Sequence, residues 1–197
     1  MGLTNDTIIR EALLERLSKE YAANPEYRVI PELGLWHGAA RIDVAVVNGI
    51  LHGFEIKSDR DTLARLPEQR EAYNSVFDKV TLVVGGKHFV DAFKMIPDWW
   101  GIETVHMNED GSIFFNSIRE PQDNQEQHNI SIARLLWRRE ALDLLESIGK
   151  ADGVRSKSRD AIYTRVVESL ELGMLKQHVR SVLQSPRQNW RSGVQLV

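Results

Sequence analysis

The chain has 197 residues, of which 42% are apolar and 27% charged, with no cysteine and a formal net charge of −3. These figures describe a globular chain of one domain, or of one domain plus a short appendage. They exclude collagen, a coiled-coil rod, disulfides, thiolate metal sites and a thiol nucleophile. No apolar run nears the roughly 20 residues that a bilayer-spanning helix needs. Met1-Gly2-Leu3-Thr4-Asn5-Asp6 lacks the basic and apolar regions of a signal peptide, so a cytoplasmic protein with no membrane partner is expected. Charge is unevenly spread: residues 131–197 hold 12 of the 25 Lys and Arg against seven Asp and Glu, and the first 130 residues are acidic. Such a split suits carboxylates gathered around a metal and bases reaching for phosphate, and equally suits ordinary surface charge.

In chain order, the spacing of Ile8, Ile9, Leu13, Leu14 and Leu17 predicts a helix from about Asp6 to Tyr21, capped by Thr4, Asn5 or Asp6 and ended by Asn24-Pro25. Tyr27 to Ile30 reads as a short strand. Arg41–Val47 and Ile50–Lys57 flank Asn48-Gly49, the strongest local hairpin signal in the chain. A polar helix is expected over Asp61 to Phe77, with Pro67 marking a kink or second start. The apolar run Val80–Val84 predicts an interior strand entered through a helical crossover. Lys87 to Met95 looks helical, and Ile102–Met107 and Ser112–Ile118 form a last strand pair around Asp110-Gly111. The polar stretch 119–129 reads as a linker, followed by helices over Ile130–Ile148, Arg159–Leu172 and Met174–Leu183. The expectation is an α/β fold with a mixed central sheet and flanking helices. Its core, 1–118, has αβββαβ order, joined by the linker 119–129 to a helical C-terminal extension, 130–197.

The hairpin carries the chemistry. Glu55 and Lys57 lie two apart on one strand and share a face, which looks the less crowded one because its other positions are Leu51 and Gly53. Asp43 sits on the partner strand inside an apolar run. Charges on an interior strand need partners, metal or water, and two acids with a lysine suit a hard divalent cation such as Mg²⁺. Register decides whether the acids converge. A plain two-residue loop at Asn48-Gly49 sends Asp43 and Glu55 to opposite faces. A three-residue loop, Val47-Asn48-Gly49, makes them diagonal neighbours on one face. The metal reading therefore requires the odd loop.

Asp43, eleven residues, then Glu55-Ile56-Lys57, in this element order, resembles the core of the PD-(D/E)XK nuclease superfamily. Gln69-Arg-Glu-Ala-Tyr73 on the next helix matches the Gln-x-x-x-Tyr motif of its RecB-like branch. Phe54 through Tyr73 with Val80–Gly85 also resembles a small bacterial and phage-associated group in that superfamily. The usual proline before the first aspartate is replaced by Ile42, and the likeness covers about residues 6 to 85. The resemblance implies a restriction-endonuclease-like core and divalent-metal-dependent hydrolysis of a phosphodiester bond, with DNA as the expected substrate. By that likeness Asp43, Glu55 and the carbonyl of Ile56 hold Mg²⁺, for which Mn²⁺ substitutes. Glu11 on the first helix, or alternatively Glu15, completes the site. Lys57 polarises the attacking water, and Gln69 and Tyr73 position the phosphate.

Elsewhere the signals are weaker. The six histidines show no zinc-site spacing, no phosphate loop is present, and Trp36-His37 precedes the hairpin as a loop pair that reads first as structural. In the tail, Lys150, Arg155, Lys157, Arg159 and Arg165 are candidates to track a nucleic-acid backbone. The tail also offers a surface for a homo-oligomer or protein partner. The alternative to a nuclease is a non-catalytic nucleic-acid-binding or assembly module on the same fold.

Overall fold

Six strands form one sheet in the order β1-β2-β3-β4-β5-β6, each beside its neighbour in sequence. They are β1 (Arg28–Leu35), β2 (Ala40–Val47), β3 (Leu51–Lys57), β4 (Lys79–Gly85), β5 (Gly101–Met107) and β6 (Ile113–Arg119). The computed structural model describes residues 3–24 and 26–185, so Pro25 and the end of the expected extension lie outside the described residues. The middle pairs, β3–β4 and β4–β5, are parallel, and the outer pairs are antiparallel. Parallel neighbours need crossovers, supplied by α2 (Leu66–Asn74) and α3 (Phe89–Met95). The expected mixed α/β architecture is therefore present, with the helical region following as α4 (Asn129–Ala133), α5 (Arg138–Ser147), α6 (Arg159–Ser169) and α7 (Leu172–Gln184).

Helix α1 (Asp6–Glu20) begins where the Asn5 side chain accepts the Ile8 N–H at 3.1 Å. Its buried stripe, Ile9, Leu13 and Leu17, lies at four-residue spacing and packs on Val44, Val46, Phe54, Ile56, Val83 and Val105 of one sheet face. The other face carries the larger cluster. There Ile42, Val80 and Leu82 share one apolar core with Ile132, Leu145, Ile162 and Val179 of the helical region. Residues 119–129 lie against α2 and β4. The Asn124 amide donates to the carbonyls of Asn74 (2.7 Å) and Phe77 (2.8 Å), and Gln127 donates to that of Val76 at 2.8 Å. Among the described residues, no helix is long and apolar enough to cross a membrane.

Several boundaries differ from those expected. Helix α2 starts at Leu66, because Pro67 has no N–H and tolerates only the first turn. Residues 58–61 close instead as a turn, in which Asp61 accepts from the Ser58 backbone at 2.7 Å and its hydroxyl at 2.6 Å. The single helix expected over 130–148 is two, with the Trp137 N–H capped by Glu140 at 2.6 Å to start α5. The face of β3 that carries Glu55 and Lys57 is not sparse: a Cβ on Gly53 would stand 2.4 Å from Ile42 and 3.1 Å from Phe77. Gly53 is there because α2 and the segment after it close over that face.

The hairpin register is neither of the two anticipated. Pairing runs from Val47↔Leu51 to Val44↔Phe54, so the loop is Asn48-Gly49-Ile50, with Gly49 at φ 94°. It is a three-residue loop set one position later than expected. Regular pairing would set Asp43 opposite Glu55, but it stops at Val44↔Phe54: Ile42 turns onto the Gly53 face, and Asp43 meets Arg10 of α1 and the Ile56 N–H instead.

Candidate functional site

Asp43 ends the regular pairing of β2 with β3. Its Oδ2 accepts the Ile56 N–H at 2.8 Å, so a side chain replaces the backbone carbonyl that would otherwise continue the ladder beyond Val44↔Phe54. Ile56 thus enters the cluster through its N–H. On β3, Glu55 is 1% exposed and Lys57 4% exposed, and their side chains form an ion pair. Glu55 Oε1 also accepts from Gln69 Nε2 at 2.6 Å. Its Oε2 lies 2.6 Å from the Tyr73 hydroxyl, which is 2.8 Å from the Arg41 carbonyl as well. Gln69 and Tyr73 reach the same carboxylate because four-residue spacing sets them on one face of α2. Asp43, Glu55, Lys57, Gln69 and Tyr73 therefore come together in one cluster.

Glu11 does not join them. It is exposed, as is Glu15, which pairs with Lys19 at 2.6 Å. The residue that α1 sends into the site is Arg10, whose guanidinium binds Asp43 at 2.8 Å, Asp6 at 2.9 Å and Glu32 at 2.9 Å. Sequence reasoning missed Arg10 and Glu32. For Glu32 a signal existed only once β1 was known to run to Leu35. The β1–β2 register then sets Glu32 opposite Asp43, and its backbone takes φ 55°, outside the regular ladder. Arg10 had no signal, because its spacing from the apolar stripe resembles that of any solvated helix residue.

Electrostatics follow from this crowding. Burial, and then the neighbouring Glu55 carboxylate, push the Asp43 carboxyl up to about 7, against the opposing pull of the Ile56 N–H and Arg10. Burial and Glu55 likewise push the Tyr73 phenol far above its ordinary value, so it acts only as a neutral donor. For Arg10, burial opposes the charge but Asp43, Asp6 and Glu32 outweigh it and raise its pKa. His52 bonds Thr81 Oγ1 at 2.9 Å, and burial followed by Lys79 and Arg16 lowers it to about 3.

The four carboxylate oxygens of Asp43 and Glu55 all accept hydrogen bonds or ion pairs from this chain. Among the described residues, no group of three or more His, Asp or Glu is placed to hold a metal ion. The donor set is closed upon itself and does not fit a resident Mg²⁺, so no chemical step is assigned to one. The cluster forms the floor of a cleft of about 1290 Å³, whose wall includes Trp36, His37, Arg60, Arg65, Arg134 and Trp137. Within that floor Gln69 Oε1 and Arg10 Nε are buried without a hydrogen-bond partner.

The family model described as Bacteriophage P4 protein cII matches residues 2–192, nearly the whole sequence. The chain belongs to that family. "Protein cII" of Enterobacteria phage P4 is 30% identical over 147 residues, covering 75% of this chain and 55% of that protein. The chain thus spans about half the length of the curated relative it matches. No solved structure matches.

This membership corrects the resemblance to PD-(D/E)XK nucleases and, with it, the expected nuclease and hydrolase activity. The likeness rested on five side chains and on residues 6–85, whereas the P4 cII match runs across sheet and helical region alike. In a buried Glu-Lys pair with a Gln and a Tyr donor the carboxylate is satisfied from within the chain, and such a motif alone does not define an enzyme.

In this P4 cII family chain, the five basic residues expected to meet nucleic acid fall on or near the α5–α6 connection. Arg155 is paired with Asp152 (2.6 Å) and Glu146 (3.1 Å), and Arg165 lies 3.9 Å from Glu168. Lys150 and Lys157 are exposed and make no ion pair among the described residues, and neither does Arg159. Arg138, which sequence reasoning did not single out, donates to the carbonyls of Arg155 (2.5 Å) and Lys157 (3.4 Å). Arg134 and Arg159 both lower the pKa of His37, after the larger effect of burial, and Arg134 lines the cleft together with His37.

Proposed function

We propose that the chain is a non-catalytic nucleic-acid-binding module, its basic α5–α6 surface following a phosphate backbone toward the cleft. One observation carries this reading. Arg138 reaches the carbonyls of Arg155 and Lys157, Arg138, Lys157 and Arg159 make no ion pair among the described residues, and Trp137, next to Arg138, walls the cleft with Trp36 and His37. Unpaired arginines and lysines release counterions when they meet phosphate, and aromatic or imidazole rings at a cleft mouth offer faces for unstacked bases. The acidic floor is held by Arg10 and Lys57, so the cationic rim is the part presented to a polyanion.

The test is fluorescence anisotropy with duplex DNA, single-stranded DNA and RNA at several salt concentrations, using wild type and Lys150→Ala/Lys157→Ala/Arg159→Ala. Wild type should bind at least one of them, with log affinity falling linearly against log salt. The triple variant should bind about tenfold or more weakly, with a salt slope shallower by roughly one per lost phosphate contact. Equal binding by both proteins, or none by wild type at low salt, would overturn the proposal.

A further inference from the structure

The two edges of the sheet are treated differently. On β1 the edge carries Pro31, which has no N–H to offer, and Glu32 with φ 55°. It is also tied to the end of α7, where Arg28 donates to the carbonyls of Leu183 (3.1 Å) and Gln184 (3.2 Å). These are the devices by which natural proteins stop edge-to-edge pairing. The opposite edge strand, β6, pairs among the described residues only with β5 and runs Ile113-Phe-Phe-Asn-Ser-Ile-Arg119, with no proline and no charge before its last residue. Arg119 is itself turned inward, donating to the carbonyls of Trp100 (2.7 Å) and Pro97 (3.0 Å). Of the six exposed large hydrophobic residues described, four lie here: Phe114 (56%) and Ile118 (44%) on β6, and Val90 (61%) and Phe93 (41%) on α3. Helix α3 is next to this edge, since the Arg119 guanidinium stands 5.0 Å over the Phe93 ring.

We infer that β6 is a self-association edge, on which a second copy of this chain adds its own β6 antiparallel to continue the sheet. The strand is complementary to itself. Pairing about a two-fold axis at Asn116 sets Phe114 of one copy opposite Ile118 of the other and puts no like charges face to face. Backbone hydrogen bonds that β6 otherwise gives to water then join the two sheets, and the four exposed apolar side chains flank the seam.

Sedimentation velocity over a micromolar to submillimolar concentration series tests this, supported by a crosslink that a cysteine-free chain makes clean. Wild type should be dimeric at the upper end. Phe114→Lys/Ile118→Lys should weaken the dimer by about tenfold or more while keeping the wild-type circular dichroism. Asn116→Cys should oxidise to a disulfide-linked dimer, since paired strands hold opposed Cα atoms at about 4.5–5.5 Å. Thr164→Cys, exposed on α6, should not. A wild-type chain that stays monomeric throughout overturns the inference. So does a dimer indifferent to both lysines, or an Asn116→Cys variant that crosslinks no faster than Thr164→Cys.

Discussion

Two buried carboxylates sit at opposite ends of the parallel strands and are held in different ways. Asp78 immediately precedes β4, at the N-terminal end. It accepts the Leu51 N–H at 2.7 Å, forms an ion pair with Lys176 and lies 3.6 Å from Arg180. Its cations come from α7, so the charge fastens the helical region to the sheet. Glu55 lies toward the C-terminal end of β3 and takes its donors from β3 and α2, namely Lys57, Gln69 and Tyr73. The cluster ties α2 to β3 but not the helical region to the sheet, and it borders an open cleft. Ligands in open α/β sheets bind outside the carboxyl ends of the strands, where helices diverge and no packing is lost by leaving space. Similar chemistry closes one end of the sheet and leaves the other accessible.

The strongest way to break this contrast is at Lys57. Its side chain is 6% exposed and that of Glu55 is 2% exposed. Lys57→Met leaves a buried carboxylate without its cation, a change that costs about 3–5 kcal/mol where the interior cannot rehydrate. Urea midpoints should fall accordingly, and adding Glu55→Gln should restore most of the loss. A drop below about 1 kcal/mol would mean that Gln69 and Tyr73 alone hold Glu55, and the two ends would differ less than described.

A smaller effect follows from Asp43. Its carboxyl is raised from the ordinary 3.8 to about 7, mainly by burial and then by Glu55. The folded chain therefore keeps a proton that the unfolded chain has released, and stability falls as pH rises through the window between those values. Three units set a ceiling of about 4 kcal/mol, and about 2 kcal/mol is expected because other carboxylates are stabilised by the same rise in pH. Asp43→Asn should remove this component, flattening urea midpoints measured from about pH 5 to pH 8 relative to wild type. An unchanged profile would show that Arg10 already holds Asp43 ionised.

How much of this was legible depended on the range of the interaction. Order and kind of the sheet elements followed from local signals: the Asn48-Gly49 hairpin, the uninterrupted run Val80–Val84, and the stripe Ile9, Leu13, Leu17. The grouping of Glu55, Lys57, Gln69 and Tyr73 was also legible, because strand and helix periodicities fix which side chains share a face, whereas Asp43 joins them where β2 leaves its regular alternation and accepts the Ile56 N–H. Arg10 and Glu32 were not legible, since Arg10 meets Glu32 and Asp43 across separations of 22 and 33 residues that no local pattern encodes. The hairpin loop fell one residue from its expected place because Val47 pairs with Leu51 instead of entering the turn. Function was the least legible. A cluster shared in outline with nucleases suggested chemistry, whereas similarity along the whole chain placed it in the P4 cII family.

At the other end of the sheet, Asp78→Asn gives the mildest and most selective change. The amide oxygen still accepts the Leu51 N–H, so the start of β3 keeps its bond. What is lost is the charge that Lys176 and Arg180 face, both of them 23% exposed in their side chains. Partial exposure lets water replace much of that attraction, and about 1 kcal/mol is expected. The loss should be local, because both cations belong to α7, a terminal element whose opening does not require the sheet to unfold. Hydrogen exchange should show α7 amides losing about fivefold in protection while those of β3 and β4 hold, whereas Lys57→Met lowers protection in both regions. If Asp78→Asn instead weakened sheet and helix equally, Asp78 would belong to the core of the sheet. The helical region would then be held by its apolar contacts with Ile42, Val80 and Leu82, and not by this charge.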